Sequence, residues 1–489
     1  MAKLNSDVLY LIFKELRDDK KTFVSCLTVD KTWCETIIPI LWTNPWKYLK
    51  RKKLFLNVIF SHLSDDSRNY LKNQGIDFLT NSYQKPLFNY INFCKHLNFN
   101  NLSQMTDSSV LTIKHIPQFS TIRKIIMKEI IDLFINENTR LTHVYIPFRF
   151  NCQIHLIPGA KYCFSELEFL SCNTCINDDV LFGLTEICKS IKGLELIVEK
   201  NNSNYGIAKL VESPKKLFNV RLLVEKCSKF DEPFCQILEN SLIKHANTIQ
   251  DFKITKEPTT KILSSFVNLY KLELGKSHFQ RTPWNCLENL SLPLLQILKA
   301  EGIPIKVLTN LIKNTNGYLF EINIDDIFHN EIDNEEIIEA IYQKCPNLKY
   351  LKLTVRSSNI LEFEKLLINC QYLHGLYIIV ENNFWNLDSD EMFYWDHLFE
   401  ILTNSSPISL FKFKFYFYNV FHLHSLKLLF DKWKNRDSML LQTIQNNNFA
   451  VSNIGMKYFN LIDEYKMQGI VKRYDHAFCV SAFADFEWI

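Results

Sequence analysis

One spacing recurs through most of this chain: an apolar residue, a second three positions on, and a third two positions after that. It starts at Leu141, Leu167, Ile191, Leu217, Ile249, Leu269, Leu295, Leu319, Leu348, Leu373 and Ile408. The steps between starts run from 20 to 35 residues, and most lie between 24 and 29. The last two apolar positions alternate, as one buried face of a strand requires. A step of this size holds one strand and one helix.

The intervening segments supply the helices. "INDDVLFGLTEICKSI" and "NEEIIEAIYQKCPNL" carry Asn or Asp at a capping position, acidic residues in the first turn and apolar residues three and four apart. A single strand-helix unit cannot bury both of its faces, so neighbours must stack. Stacking predicts an α/β solenoid with parallel strands on its concave face and helices outside. The sequence places this array at residues 86–435, after a helical domain at 1–45 and a helical connector at 46–85. Residues 436–489 lose the cue and read as a cap.

The spacing, with Cys175-Ile176-Asn177-Asp178-Asp179-Val180-Leu181 and Cys188-x-x-Ile191, resembles the cysteine-containing leucine-rich repeats. Glu199, Glu225, Glu257 and Arg356 stand at the turn position where those repeats carry Asn or Cys, so an irregular array is expected.

Composition narrows the function. The chain has 489 residues, 47% of them apolar, and a net charge of +3 from 56 basic and 53 acidic side chains. That charge gives no global attraction to nucleic acid or to an anionic membrane, so neither is expected as a partner. With only 11 glycines the chain is poorly equipped for glycine-rich phosphate loops. The apolar run Val8 to Phe13 is too short for a signal core or a membrane span, and Phe411 to Phe430 is broken by Lys412, Lys414, His422, His424 and Lys427. Fourteen scattered cysteines then point to reduced thiols in the cytoplasm or nucleus.

The opening "LNSDVLYLIFKEL" puts Leu4, Val8, Leu9, Ile12, Phe13 and Leu16 on a helical stripe. A second helix is expected at Thr22 to Thr28 and a third at Asp30 to Ile38, ended by Pro39. Three short helices bury little surface and need a neighbour or a partner. The residues Leu4-x-x-Asp7-Val8-Leu9-x-x-Ile12-Phe13-x-x-Leu16, then Cys26-Leu27-x-Val29-x-Lys31-x-Trp33, then Pro39-x-Leu41-Trp42 resemble the F-box, with Asn5 where that family usually has Pro. The resemblance implies binding to the Skp adaptor of a cullin-RING ubiquitin ligase, with Leu4, Val8, Leu9, Ile12, Phe13 and Leu16 as adaptor-contact or core positions. It implies a substrate-recognition subunit of an SCF-type ligase. The alternative is a scaffold that binds the Skp adaptor without promoting ubiquitin transfer, or a plain helical cap on the array.

Signals for chemistry are absent: no phosphate-loop, nucleophile-elbow, H-E-x-x-H or EF-hand pattern occurs. Cys172-x-x-Cys175 lacks a second pair, and its register makes core thiols the expectation rather than a metal site. His422-x-His424 reads as an alternating stretch with no further ligands. No enzyme activity, cofactor or metal is expected.

The residue between the second and third apolar positions should face the concave side. That row reads Tyr145, Ser171, Glu195, Arg221, Lys253, Glu273, Lys299, Asn323, Lys352, Tyr377 and Lys412. The expected target site draws on Tyr145, Arg221, Lys253, Lys299, Lys352 and Tyr377. Its four cations suit an acidic or phosphorylated segment of an unidentified target protein.

Overall fold

The computed structural model describes residues 4–16, 19–47, 49, 51–74, 86–110, 119–148, 150–199, 204–224, 231–275, 283–325, 330–380, 393–446 and 454–478. It divides into two compact units, Met1–Val220 and Arg221–Ile489. The division falls within the array, rather than at 45, 85 or 435 where the sequence places boundaries.

The first unit opens with α1 (Ser6–Leu16), α2 (Lys20–Cys26) and α3 (Lys31–Thr43). Asp19 caps α2 by accepting from the Thr22 N–H and hydroxyl, and Asp30 caps α3 by accepting from the Trp33 N–H. Helix α3 runs through Pro39, which the sequence reading took as its end. Proline removes one backbone donor, but Ile37 is buried on one side of it and Trp42 packs on the other, and this packing carries the helix onward.

Trp42 stacks on Phe55 at 5.3 Å and on Tyr90 at 4.7 Å. These rings belong to α4 (Lys52–Ser61) and, beyond α5 (Asp65–Asn73), to α6 (Tyr90–Phe93). Trp46 packs edge-on against Phe55, and its indole N–H donates to the His96 carbonyl. The Lys95 N–H donates to the Thr43 carbonyl at 2.9 Å. The opening helices are therefore bonded to the first strand of the array.

Four parallel strands follow in chain order in this unit: β1 (His96–Asn98), β2 (His143–Tyr145), β3 (Phe169–Asn173) and β4 (Gly193–Val198). Between β1 and β2 lie α7 (Phe99–Val110) and α8 (Phe119–Phe134). Strand β5 (Asn219–Val224) spans the division. The second unit continues with β6 (Asp251–Ile254), β7 (Lys271–Leu274), β8 (Ile297–Glu301), β9 (Glu321–Asp325), β10 (Tyr350–Val355), β11 (Gly375–Val380), β12 (Lys412–Phe417), β13 (Met439–Gln445) and β14 (Val471–Phe478). Each pairs in parallel with the next. From Ile305 to Lys432 the connecting helices also touch their sequence neighbours. The result is a leucine-rich-repeat-like array of stacked strand-helix units.

Ten of the eleven predicted repeat starts, Leu141 through Leu373, are buried. The exception is Ile408, which is 82% exposed, whereas Leu410 is fully buried in its place. Two apolar residues two apart made either register plausible, and the strand pairing selects the second. The array also begins earlier than the row of starts, with buried Cys94, Leu97 and Phe99, and it runs past 435. Register places Ser438 opposite Leu410 and pairs Thr443 with Phe415, so polar residues stand where the sequence motif needs apolar ones. Thr443 is buried and bonds Tyr474 and His476 across the pair with β14. The stretch assigned to a cap therefore contains further strand-helix units. His422 and His424 likewise fall at the N-cap and within the first turn of a helix, Leu423–Lys432, not on a strand.

Carboxylates hold several turns between repeats. The buried Glu239 accepts from the backbone N–H groups of Thr259 and Thr260 and from the Thr259 hydroxyl. Glu257 accepts from the N–H groups of Trp284 and Cys286, at a turn where Trp284 takes a left-handed φ of 55°. Glu199 accepts from the Asn173 amide, whose oxygen in turn accepts from the Cys175 N–H. Glutamates thus do the turn-bonding work that Asn or Cys does in the repeats this chain resembles. Replacing Glu239 with Ala strands two part-buried amide donors. Urea unfolding should show the second unit destabilised by about 2–4 kcal/mol, with Glu239→Gln losing less.

Candidate interaction surfaces

Helix α1 is apolar on two faces. Leu9 and Phe13 are buried with Phe23, Cys26 and Ile37, and Leu16 and Trp33 pack against that cluster. Phe13 meets Phe23 and Trp33 edge-on at 6.2 and 5.2 Å. The remaining predicted contact positions face outward: Leu4 is 53% exposed, Val8 42% and Ile12 41%. The spacing of four puts these three on one stripe, and Leu11, 62% exposed, widens it. Val24 and Val29, each 57% exposed, add apolar surface at α2 and after it. Sequence reasoning missed these last three because a stripe pattern names one face, and only packing shows which face is already covered.

The strand pairing tests the predicted row of outward-facing positions. In the first unit Tyr145, Ser171 and Glu195 align across β2, β3 and β4. In the second, Lys253, Glu273, Lys299, Asn323, Lys352 and Tyr377 align across β6 to β11. Lys414, not Lys412, continues the row opposite Tyr377, as the shift from Ile408 to Leu410 requires.

The structure does not gather the four predicted cations into an anion site. Lys253 pairs with Glu273 at 3.1 Å and Lys299 with Glu321 at 3.2 Å. Lys271, on the neighbouring row, pairs with both Asp251 and Glu273. Lys352 is fully buried, pairs with Asp325, and sits 4.4 Å over the Tyr377 ring, which is itself 2% exposed. Burial pushes the Lys352 ammonium down and the Asp325 carboxylate opposes this. Arg221 is exposed; burial raises the Asp251 carboxyl, against the charges of Lys271 and Arg221. Tyr145 is half-buried, 6.3 Å from His96 and 5.6 Å from Phe169. Lys253, Lys299 and Lys352 of this row are each matched by a carboxylate on an adjacent strand.

Burial works against the charge of Glu273, yet the hydrogen bonds and charges of Lys271 and Lys253 hold its carboxylate at about 2, below the ordinary 4.5. A carboxyl depressed on folding stabilises fully above its unfolded value and loses that contribution as pH falls through the folded one. Denaturant unfolding of the wild type should weaken from about pH 4.5 down to about 2. Glu273→Gln should flatten that slope. In the same assay Lys352→Glu should unfold the second unit at neutral pH, since it sets two carboxylates together without water.

Most of the described cysteines are buried, while Cys34, Cys152, Cys175 and Cys286 are half-buried. Cys172, Cys188, Cys345 and Cys370 are buried, and burial pushes their thiols up, to about 12 for Cys172 and Cys370. Among the described residues no group of three His, Cys, Asp or Glu side chains is placed to hold a metal ion. No helix among them is long and apolar enough to cross a membrane.

No family model matches the chain, and no curated protein matches it in sequence. Among solved structures, the leucine-rich repeat-containing protein LegL7 from Legionella pneumophila is similar over 65% of this chain and 100% of its own, with 14% identity and a TM-score of 0.32.

Proposed function

We propose that this chain is a substrate-recognition subunit of an SCF-type cullin-RING ubiquitin ligase, in which helices α1 to α3 dock on the Skp adaptor and the repeat array holds the target protein. The observation that carries the reading is the division of labour on α1. Leu9 and Phe13 close a small core, while Leu4, Val8, Leu11 and Ile12 leave an apolar stripe in water. Exposed apolar stripes of this kind mark partner surfaces. The order and spacing of residues 4 to 42, which resemble the F-box, name the partner. Leu16, held against the core, leaves the contact set, and Leu11 joins it.

The subunit works by proximity. Holding a target near an activated ubiquitin carried by other subunits raises the effective concentration of the reacting groups, and the catalytic side chains belong to those subunits. Trp42 and Trp46 serve this role by fixing the opening helices to the first strand, so that a docked adaptor and a target bound on the first unit keep one relative orientation.

The test is co-purification with the Skp adaptor and cullin, comparing wild type with Leu4→Asp/Leu11→Asp/Ile12→Asp. These positions are exposed, so circular dichroism should report an intact fold. Capture of both partners by wild type and loss of both by the variant is the expected result. Capture of the adaptor without cullin would replace the ligase with a scaffold, and capture of neither would reduce the opening helices to a cap.

A further inference from the structure

The sequence sought its acid-binding site on the strands, where the cations turn out to be matched. A different place in the first unit carries exposed lysines beside apolar surface. A cavity of about 480 Å³ opens between α8, the segment that follows β2, and Ser103 of α7. Helix α8 supplies one wall: Met127 and Ile131 form its floor, and Lys124 and Lys128, one turn apart and both exposed, stand at its rim. Phe148 and Phe150 form the opposite wall, and Phe148 is 49% exposed.

Among the described residues the lining contains three cations and no carboxylate. Arg123 is matched by Asp107 in an ion pair. Asp132 lies a turn beyond Lys128, outside the lining; burial raises its carboxyl, and the Lys128 charge opposes this. Lys124 and Lys128 are the exposed cations of the lining.

We infer that this cavity anchors an acidic peptide segment of the target, with one large apolar side chain on the Met127, Ile131, Phe148 and Phe150 surface and flanking carboxylates at Lys124 and Lys128. The inference rests on the reading that the array holds a protein target, and it supplies that target's chemistry. The volume lies within the roughly 300–1,000 Å³ of ligand pockets. An enclosed small molecule would need most of its surface covered, and here a wall residue itself stands half in water. A chain laid across the opening keeps its backbone solvated while one side chain is buried. Lysines on long stems suit carboxylates that remain partly hydrated.

The probe is a fluorescently labelled peptide with Leu-Phe flanked on both sides by Asp, titrated with the full chain and followed by polarisation. Two comparison peptides replace the Asp residues with Lys, or Leu-Phe with Ser-Ser. Saturable binding of the first peptide alone, weakened by salt, is expected. Lys124→Glu/Lys128→Glu should weaken it by roughly tenfold or more. Phe148→Ala should reduce it without changing the salt dependence. Lys124→Ala/Lys128→Ala, with circular dichroism, guards against loss of fold in the reversal variant. Equal binding by wild type and both lysine variants, equal binding of the Lys-flanked peptide, or no saturable binding would overturn the inference. Adaptor capture separates the two readings: the pocket variants should capture it as wild type does, and failure of the wild type to capture it sinks the ligase role while leaving the peptide result intact.

Discussion

Every repeat in this chain lacks something that its neighbour supplies. A parallel strand satisfies its backbone donors and acceptors only through strands on either side, and the apolar face beneath it is covered only when adjacent helices close over it. The fully buried starts Leu141, Leu217, Leu295, Leu319, Leu348 and Leu373 mark this dependence, each lying at the entry to a strand that the next repeat completes. Stability is then shared among contacts between neighbours, and local faults in the motif are tolerated where the strands on both sides pair correctly. The units around β13 and β14 show this, since they keep the ladder with Ser438 and Thr443 at motif positions.

The polar clamps follow from the same requirement. A turn entering or leaving a buried strand carries backbone N–H groups that the strand ladder does not reach. Glu239 and Glu257 accept these directly, and a carboxylate can take several donors at once where an amide oxygen takes fewer. Burying a charge is costly unless its acceptor capacity is filled. The three bonds to Glu239 and the two to Glu257 meet that condition, and they explain an array that departs from the Asn- or Cys-turn pattern yet stays regular in its pairing.

Electrostatics separates framework from recognition. On the second unit's sheet, lysine and carboxylate alternate between adjacent strands, so charge there fastens strands to one another and leaves little net field. Exposed features sit elsewhere, in the apolar stripe of α1 and in the bowl beside α8 that Lys124 and Lys128 line. Both belong to the first unit, and the tryptophan contacts after α3 tie the helices that carry the stripe to the sheet beside the bowl. The proposed adaptor and target surfaces thus share one unit, as a proximity mechanism requires.

Much of this was legible in the chain itself. Spacing of apolar residues located ten of eleven repeat starts and the aligned rows from Tyr145 to Glu195 and from Lys253 to Tyr377, because alternation along a strand is a local property. It could not choose between Ile408 and Leu410, nor see repeats whose motif positions are Ser and Thr, since there the pairing partner decides. The N-cap residues Asp30 and Asn177 were readable for the same local reason. Which apolar face of α1 stays in water, which lysine is matched, and where Lys124 and Phe148 meet depend on residues distant in sequence. Periodicity along one chain determined which side chains share a face, while only the tertiary structure decided what each face meets, because burial and charge pairing are set by neighbours that spacing does not encode.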